Sequence, residues 1–165
     1  MVHEIAAGIL DHGIRKLFVL NTGISTLAPV AHALARLDPS KVMHLRVYQG
    51  PRFGRAAEQL AKQSHGSHAD ELETSLMLAL APQLVDMTRA EASPARTQEA
   101  PGRLTPSDRR SPNYSRSGSY GDPTLATSAK GEVLLAAILD DLNEQVTAFM
   151  ADDTRQRSNP MRSAS

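Results

Sequence analysis

The chain has 165 residues, and its 18 lysines and arginines balance 18 aspartates and glutamates, so no net field draws it toward nucleic acid or an anionic membrane. That length suits one domain of ordinary size, and the 41% of apolar residues suffices for a core. Cysteine is absent, which excludes disulfides, thiolate nucleophiles and cysteine metal sites and agrees with a reducing cytoplasm, the expected compartment.

Met1-Val2-His3-Glu4-Ile5 carries an acid and no long apolar stretch, so it does not read as a signal peptide. No segment approaches the roughly 20 apolar residues that span a bilayer, so no membrane partner is expected. Val2, Ile5, Ala6, Ile9 and Leu10 recur at helical spacing, with Gly13 placed to end that helix. The apolar run Lys16-Leu17-Phe18-Val19-Leu20 reads as a buried strand. Asn21 to Ser25 forms a turn, and Ser25 or Thr26 can cap a helix running to about Leu37. Pro29 falls near the first turn of that helix, where a missing N–H costs little. Val42 to Tyr48 is a second strand, Pro51 to Gln63 a candidate helix, and Glu71 to Leu80 a helix with an apolar stripe of Leu72, Leu76, Met77 and Leu80.

This alternation predicts an α/β domain with a mainly parallel sheet. From Thr88 to Asp122 the chain is rich in Pro, Ser, Arg and Gly with almost nothing apolar, which reads as a long irregular insertion: a solvated excursion or a functional loop. Thr127 to Met150 resumes as an amphipathic helix with Val133, Leu134, Ala137, Ile138, Leu142 and Val146 on one side. The expected organisation is one domain over residues 1–152, with the insertion at 88–122 and a disordered polar tail at 153–165.

Ligand-type side chains are densest in Ser64-His65-Gly66-Ser67-His68-Ala69-Asp70-Glu71-Leu72-Glu73. Two imidazoles followed by three carboxylates can hold a divalent metal or act as a general acid and base. The same acids can instead complement a helix N-terminus, with the histidines as loop residues. The turn Asn21-Thr22-Gly23-Ile24-Ser25-Thr26 joins a strand to a helix, where free N–H groups can receive an anion, but it matches no phosphate fingerprint. An ordinary turn with a hydroxyl cap is the preferred reading there. His3, His12, His32 and His44 are scattered, and no Gly-x-Ser-x-Gly elbow supports serine-hydrolase chemistry. The basic residues from Arg103 to Arg116 are mixed with serines and Tyr114, and neutral net charge argues against nucleic acid as a partner.

Three blocks resemble one family. Residues 68–87, beginning His-Ala-Asp-Glu-Leu-Glu-Thr-Ser, are similar to the His-Ala-Gly-Glu-x-Glu-Thr-Ser block of the creatininase family. Residues 120–135, Tyr-Gly-Asp-Pro-Thr-Leu-Ala-Thr through Lys-Gly-Glu, resemble its C-terminal signature, and residues 2–30 its helix and strand leading to an Asn-Gly-His-Gly-Gly-Asn loop. The resemblance implies a three-layer α/β/α fold, lacking here the N-terminal strand region, usually assembled as a homo-oligomer. It also implies metal-dependent hydrolysis of amide-type C–N bonds in small or cyclic substrates, with a divalent metal (zinc, manganese or iron) activating water. Carried over, His68 is the proton shuttle and Glu73 the acid beside it, while Asp70, Glu71 and Asn21 would face the substrate.

The departures bear on activity. The family's Gly-Ser-x-Glu-x-His metal segment has no counterpart, since on this alignment the chain begins downstream of it. Gly23 stands at the position of a histidine ligand, Ser25 where some members place an acidic one, and Asp70 at the block's glycine. His65 and Asp70 are the nearest ligand types left to the block. Three readings follow. The first is a family member, truncated or degenerate, with impaired or lost hydrolase activity. The second is an enzyme whose metal site is rebuilt from His65, His68, Asp70, Glu71 and Glu73. The third is a non-catalytic interaction or assembly module on the same fold, with the 88–122 segment contacting a partner.

Overall fold

The structure, a computed structural model, describes residues 1–93, 109 and 114–158, with residues 152–158 described by backbone only. Its elements are α1 (Val2–Asp11), β1 (Leu17–Asn21), α2 (Leu27–Leu34), β2 (Val42–Arg46), α3 (Pro51–Leu60), α4 (Glu71–Leu80) and α5 (Ser128–Ser158), with short 3₁₀ turns between several of them. Contacts divide these into two compact units: residues 1–50 with α5 from Leu139 onward, and residues 51–138.

In the first unit β1 and β2 pair in parallel, Leu17 opposite Val42 through Asn21 opposite Arg46. Successive strand residues point to opposite faces. On one face Leu17, Val19 and Val42 pack with Ala6, Val2 and Leu10 of α1 and with Val30 and Leu34 of α2. On the other, the Phe18 ring meets Phe149 of α5 edge to face, centroids 5.4 Å apart at 73°, a pair that contributes about 0.5–1.5 kcal/mol beyond its buried area. Lys16 lies 4.0 Å above the Phe149 ring and donates to the Ser40 carbonyl at 2.6 Å. Helices therefore lie on both faces of a parallel sheet, the expected α/β/α layering, with two strands among the described residues.

Details depart from the periodicity. In α1 the inward line is Val2, Ala6 and Leu10, and Ile5 is 57% exposed. The helix after Asn21 begins at Leu27 with no side-chain cap. The Thr26 hydroxyl turns back instead, donating to the Gly23 carbonyl at 2.8 Å and to Asn21 Oδ1 at 3.1 Å.

In the second unit α4 has the expected bounds but a different inner face. Glu71 and Ser75 are fully buried beside Leu76, whereas Met77 and Leu80 are exposed. The reason is close packing against the start of α5. A Cβ on Gly131 would lie 1.9 Å from the Ser75 carbonyl oxygen, so only a glycine facing a small residue lets the two backbones approach this nearly. The Ser75 hydroxyl donates to the Glu71 carbonyl at 2.6 Å and accepts the Thr127 N–H at 3.1 Å. Leu134 and Ile138 are buried on α5 one and two turns further along.

The described end of the expected insertion is not a solvated excursion: Ser115, Ser119 and Tyr120 are buried, and Tyr120 forms an antiparallel bridge with His68. Residues 94–108 and 110–113 of that segment lie outside the described residues, as do 159–165 of the expected tail. The helical backbone of α5 continues past Met150 to Ser158. Among the described residues no helix is long and apolar enough to cross a membrane.

Candidate functional site

The first turn of α4 is built by its own acids. Asp70 is the N-cap, and its Oδ1 accepts the N–H groups of Leu72 at 2.9 Å and Glu73 at 3.0 Å, satisfying donors that the helix leaves open. Its Oδ2 accepts from Gln63 Nε2 at 2.9 Å, and Asp70 is 6% exposed. The side chain that replaces the family's glycine is thus consumed in capping and does not line an open substrate surface.

Glu71, one position on, has no exposed surface. Its Oε2 accepts the N–H groups of Lys62 at 2.8 Å and Gln63 at 2.7 Å, and its Oε1 pairs with the Lys130 ammonium. Lys130 also donates to the Leu125 carbonyl at 2.8 Å. Burial pushes the Glu71 carboxyl upward, but the Lys130 ammonium and the Gln63 and Lys62 N–H groups outweigh it and hold the group below its ordinary value. Glu71 is an internal anchor joining the end of α3, the start of α4 and the start of α5, not the substrate-facing acid expected from the resemblance.

His68 and Glu73 are brought together. His68 Nδ1 lies 3.7 Å from Glu73 Oε2, with the imidazole side chain 53% and the carboxylate 28% exposed. That separation is too long for a hydrogen bond, so the two groups face each other without one joining them. Glu73 Oε2 also accepts the Ala69 N–H at 2.7 Å, reaching back past the cap. Ala69 has φ +44°, in the left-handed region that non-glycine residues disfavour. The peptide around it is clamped by residues 119 and 120. The N–H groups of Ser67 and His68 approach the Tyr120 carbonyl at 2.8 and 3.4 Å, the Tyr120 N–H donates to the His68 carbonyl at 2.7 Å, and the Ser119 hydroxyl donates to the Ala69 carbonyl at 2.8 Å.

Next to the clamp, Gly121 and Ser93 exchange backbone and hydroxyl hydrogen bonds: Ser93 N–H to the Gly121 carbonyl at 2.9 Å, and Gly121 N–H to Ser93 Oγ at 2.8 Å. A Cβ at Gly121 would lie 2.5 Å from Asp70 Cβ, and its φ of +148° is one that only glycine adopts readily. Gln63 Oε1 accepts from the N–H groups of Glu71 at 3.2 Å and Asp122 at 3.1 Å. His65 stands apart from these bonds, with Nδ1 3.0 Å from Ser64 Oγ and Nε2 enclosed without a hydrogen-bond partner.

In the first unit, Asn21 is 6% exposed and its Oδ1 accepts the Gly23 N–H at 2.9 Å as well as the Thr26 hydroxyl. This is a self-satisfied turn in which Gly23 and Ser25 supply no ligand side chain of the strength a metal requires.

The donor set does not fit a divalent cation. A catalytic zinc takes about three protein ligands and keeps one position open. Among the described residues no group of three or more His, Asp or Glu is placed to hold a metal ion. Both oxygens of Asp70 and of Glu71 already accept N–H donors, and Glu73 shares its inner oxygen with Ala69. Gln63, Ser75, Ser119 and Lys130 escape the sequence reading because their partners are distant along the chain. One signal was present: Lys130 stands in the first turn of α5, where the helix dipole disfavours a cation.

Residues 1–146 match the family model for creatininase, creatinine amidohydrolase. No curated protein matches the sequence. Among solved structures, a tryptophan-to-alanine mutant creatininase is similar at 25% identity and TM-score 0.71, over 90% of this chain and 62% of its own. A creatininase described with manganese is similar at 23% identity and TM-score 0.69, over 88% and 60%. A protein described as a putative creatinine amidohydrolase from Bacteroides fragilis NCTC 9343 is similar at 19% identity and TM-score 0.58, over 90% and 59%. The present chain thus spans about three-fifths of the length of these structures. Agreement between the sequence family over residues 1–146 and the parallel-sheet fold establishes that the chain belongs to the creatininase family.

Proposed function

We propose that this chain carries the proton-transfer side of a creatininase-type amidohydrolase site, without a metal centre of its own, so that its hydrolytic activity is impaired or lost. The observation that carries this reading is the pairing of a half-exposed His68 with Glu73 at 3.7 Å beside carboxylates already committed to other partners. His68 presents an imidazole that can deliver a proton to the leaving nitrogen of a small amide, with the Glu73 carboxylate beside it. The family resemblance supports a small or cyclic amide as substrate and a divalent metal as the water-activating partner. The geometry of residues 65–73 supports no cation held by them.

The test combines three measurements on the full chain: zinc, manganese and iron content; hydrolysis of creatinine with and without added manganese or zinc; and the NMR response of the His68 ring to creatinine. The expected result is no tightly held metal, hydrolysis near the uncatalysed rate, and a His68 resonance that moves on adding creatinine. Stoichiometric metal that His68→Ala releases would establish a rebuilt centre instead, and a His68 ring indifferent to creatinine would remove the proposed role.

A second reading, an assembly module on the same fold, rests on the sheet. Leu20 of β1 is 54% exposed, although parallel sheets are ordinarily covered on both faces. A homo-oligomer that covers it would appear in solution mass as a multiple of the chain mass.

A further inference from the structure

We propose that Ser119 is a positioning residue for His68, acting through the left-handed Ala69 peptide and Glu73; its functional meaning rests on the role given to His68 above. Ser119 is 5% exposed, and its hydroxyl donates to the Ala69 carbonyl. The main-chain bonds to Tyr120 hold the His68 carbonyl, and with it the peptide that carries the Ala69 N–H, but they do not reach the following peptide, which carries the Ala69 carbonyl. Ala69 at φ +44° would relax to negative φ unless both its polar groups were restrained. The restraints are the two hydrogen bonds already described, Glu73 Oε2 on its N–H and the Ser119 hydroxyl on its carbonyl. The same Glu73 oxygen that receives the Ala69 N–H is the one facing His68 Nδ1. Releasing the carbonyl lets the Ala69–Asp70 peptide turn about residue 69 while the Ala69 N–H stays held through the His68 carbonyl, so Glu73 at the start of α4 shifts against that N–H and its carboxylate loses the contact that aims it at the imidazole. A buried hydroxyl fifty positions downstream in sequence thereby sets the orientation of the His68–Glu73 pair.

The test is made by NMR on isotopically labelled full-length chain, comparing Ser119→Ala with wild type alone and in an Ala69→Gly background. In Ser119→Ala the His68 ring cross-peak should shift, and the residue 69 amide should exchange about 3- to 10-fold faster, the loss appropriate to one hydrogen bond. Both effects should shrink in the Ala69→Gly background, because glycine holds positive φ without restraint. Unchanged ring position and exchange in Ser119→Ala would overturn the proposal. Equal effects in the two backgrounds would also overturn it, since a simple packing loss is indifferent to the residue at 69. If Ser119→Ala does not fold, the isosteric pair Ser119→Thr and Ser119→Val makes the same comparison: retention with the hydroxyl and loss without it is expected, and identical His68 spectra would refute it. Neither readout uses turnover, so a failure of the amide-hydrolysis reading and a failure of the positioning role are seen separately.

Discussion

Replacing Lys130 by Met removes the ammonium that faces Glu71 while leaving an apolar side chain of similar length. The Glu71 side chain is 0% and the Lys130 side chain 12% exposed, so the carboxylate cannot turn to water once its cation is gone. Two N–H donors, from Lys62 and Gln63, remain on Oε2, but Oε1 is left with a charge and no partner. Breaking a buried pair from one side costs about 3–5 kcal/mol, a large fraction of the 5–15 kcal/mol that ordinarily separates folded from unfolded protein. For a chain of this size that corresponds to a fall in Tm of roughly 6–20 °C.

The pH dependence tests the cause. In the wild type the folded Glu71 titrates below its ordinary 4.5, so its contribution is complete above that pH and is lost as pH falls through the folded value. In Lys130→Met burial is no longer outweighed by the ammonium, so the folded carboxyl titrates above that of the wild type. The gap between the two proteins should therefore narrow on acidification from pH 7 toward 4.5. Urea denaturation followed by circular dichroism at both pH values measures it. A loss below about 1 kcal/mol, the worth of an exposed pair, or a gap that does not change with pH would refute the reasoning.

Gly131→Ala should destabilise by about 1–3 kcal/mol as an overpacking change, despite the better helix propensity of alanine, because the new methyl meets the Ser75 carbonyl; thermal melting checks the sign. Asp70→Ala should lose about 0.5–2 kcal/mol through its cap, and more if Gln63 is left unpaired; chemical denaturation reads it. His44 has both ring nitrogens buried without a hydrogen-bond partner, and burial, with a smaller effect from Arg46, holds its pKa below the ordinary 6.5. The unfolded chain then binds the extra proton, so stability is complete above 6.5 and declines as pH falls from there toward the folded value. His44→Leu should flatten that part of a stability-against-pH curve, and an unaltered curve would locate the titration elsewhere.

Much of the local structure was legible. The apolar run at Leu17 and the turn after Asn21 place β1, and Asp70 ahead of Glu71 marks the start of α4 through cap chemistry that acts within three residues. The inner face of α4 was not legible. Helical periodicity assumes that apolar residues turn inward, whereas Glu71 is inside because Lys130 is there, and the two are 59 positions apart. The same holds for Ser119 and Ala69. The motif located His68 and Glu73 as neighbours, but it could not show that Asp70 and Glu71 spend their oxygens on helix ends and on an ammonium. That allocation depends on which distant segment folds over the motif.

The Ser93–Gly121 hydrogen bonds have a consequence for how this part of the chain can vary. They close a ring of 28 positions whose two ends are both buried. Closure entropy grows only with the logarithm of ring size, so doubling the number of residues between those ends costs only about 0.6 kcal/mol. Ser119 and Tyr120, which clamp the His68 backbone, lie inside that ring, so a change of length leaves the imidazole in place only on the Ser93 side of the buried Ser115. Peptides or whole domains inserted there, rather than in the hydrogen-bonded connection between α3 and α4, are the ones the His68 corner should tolerate.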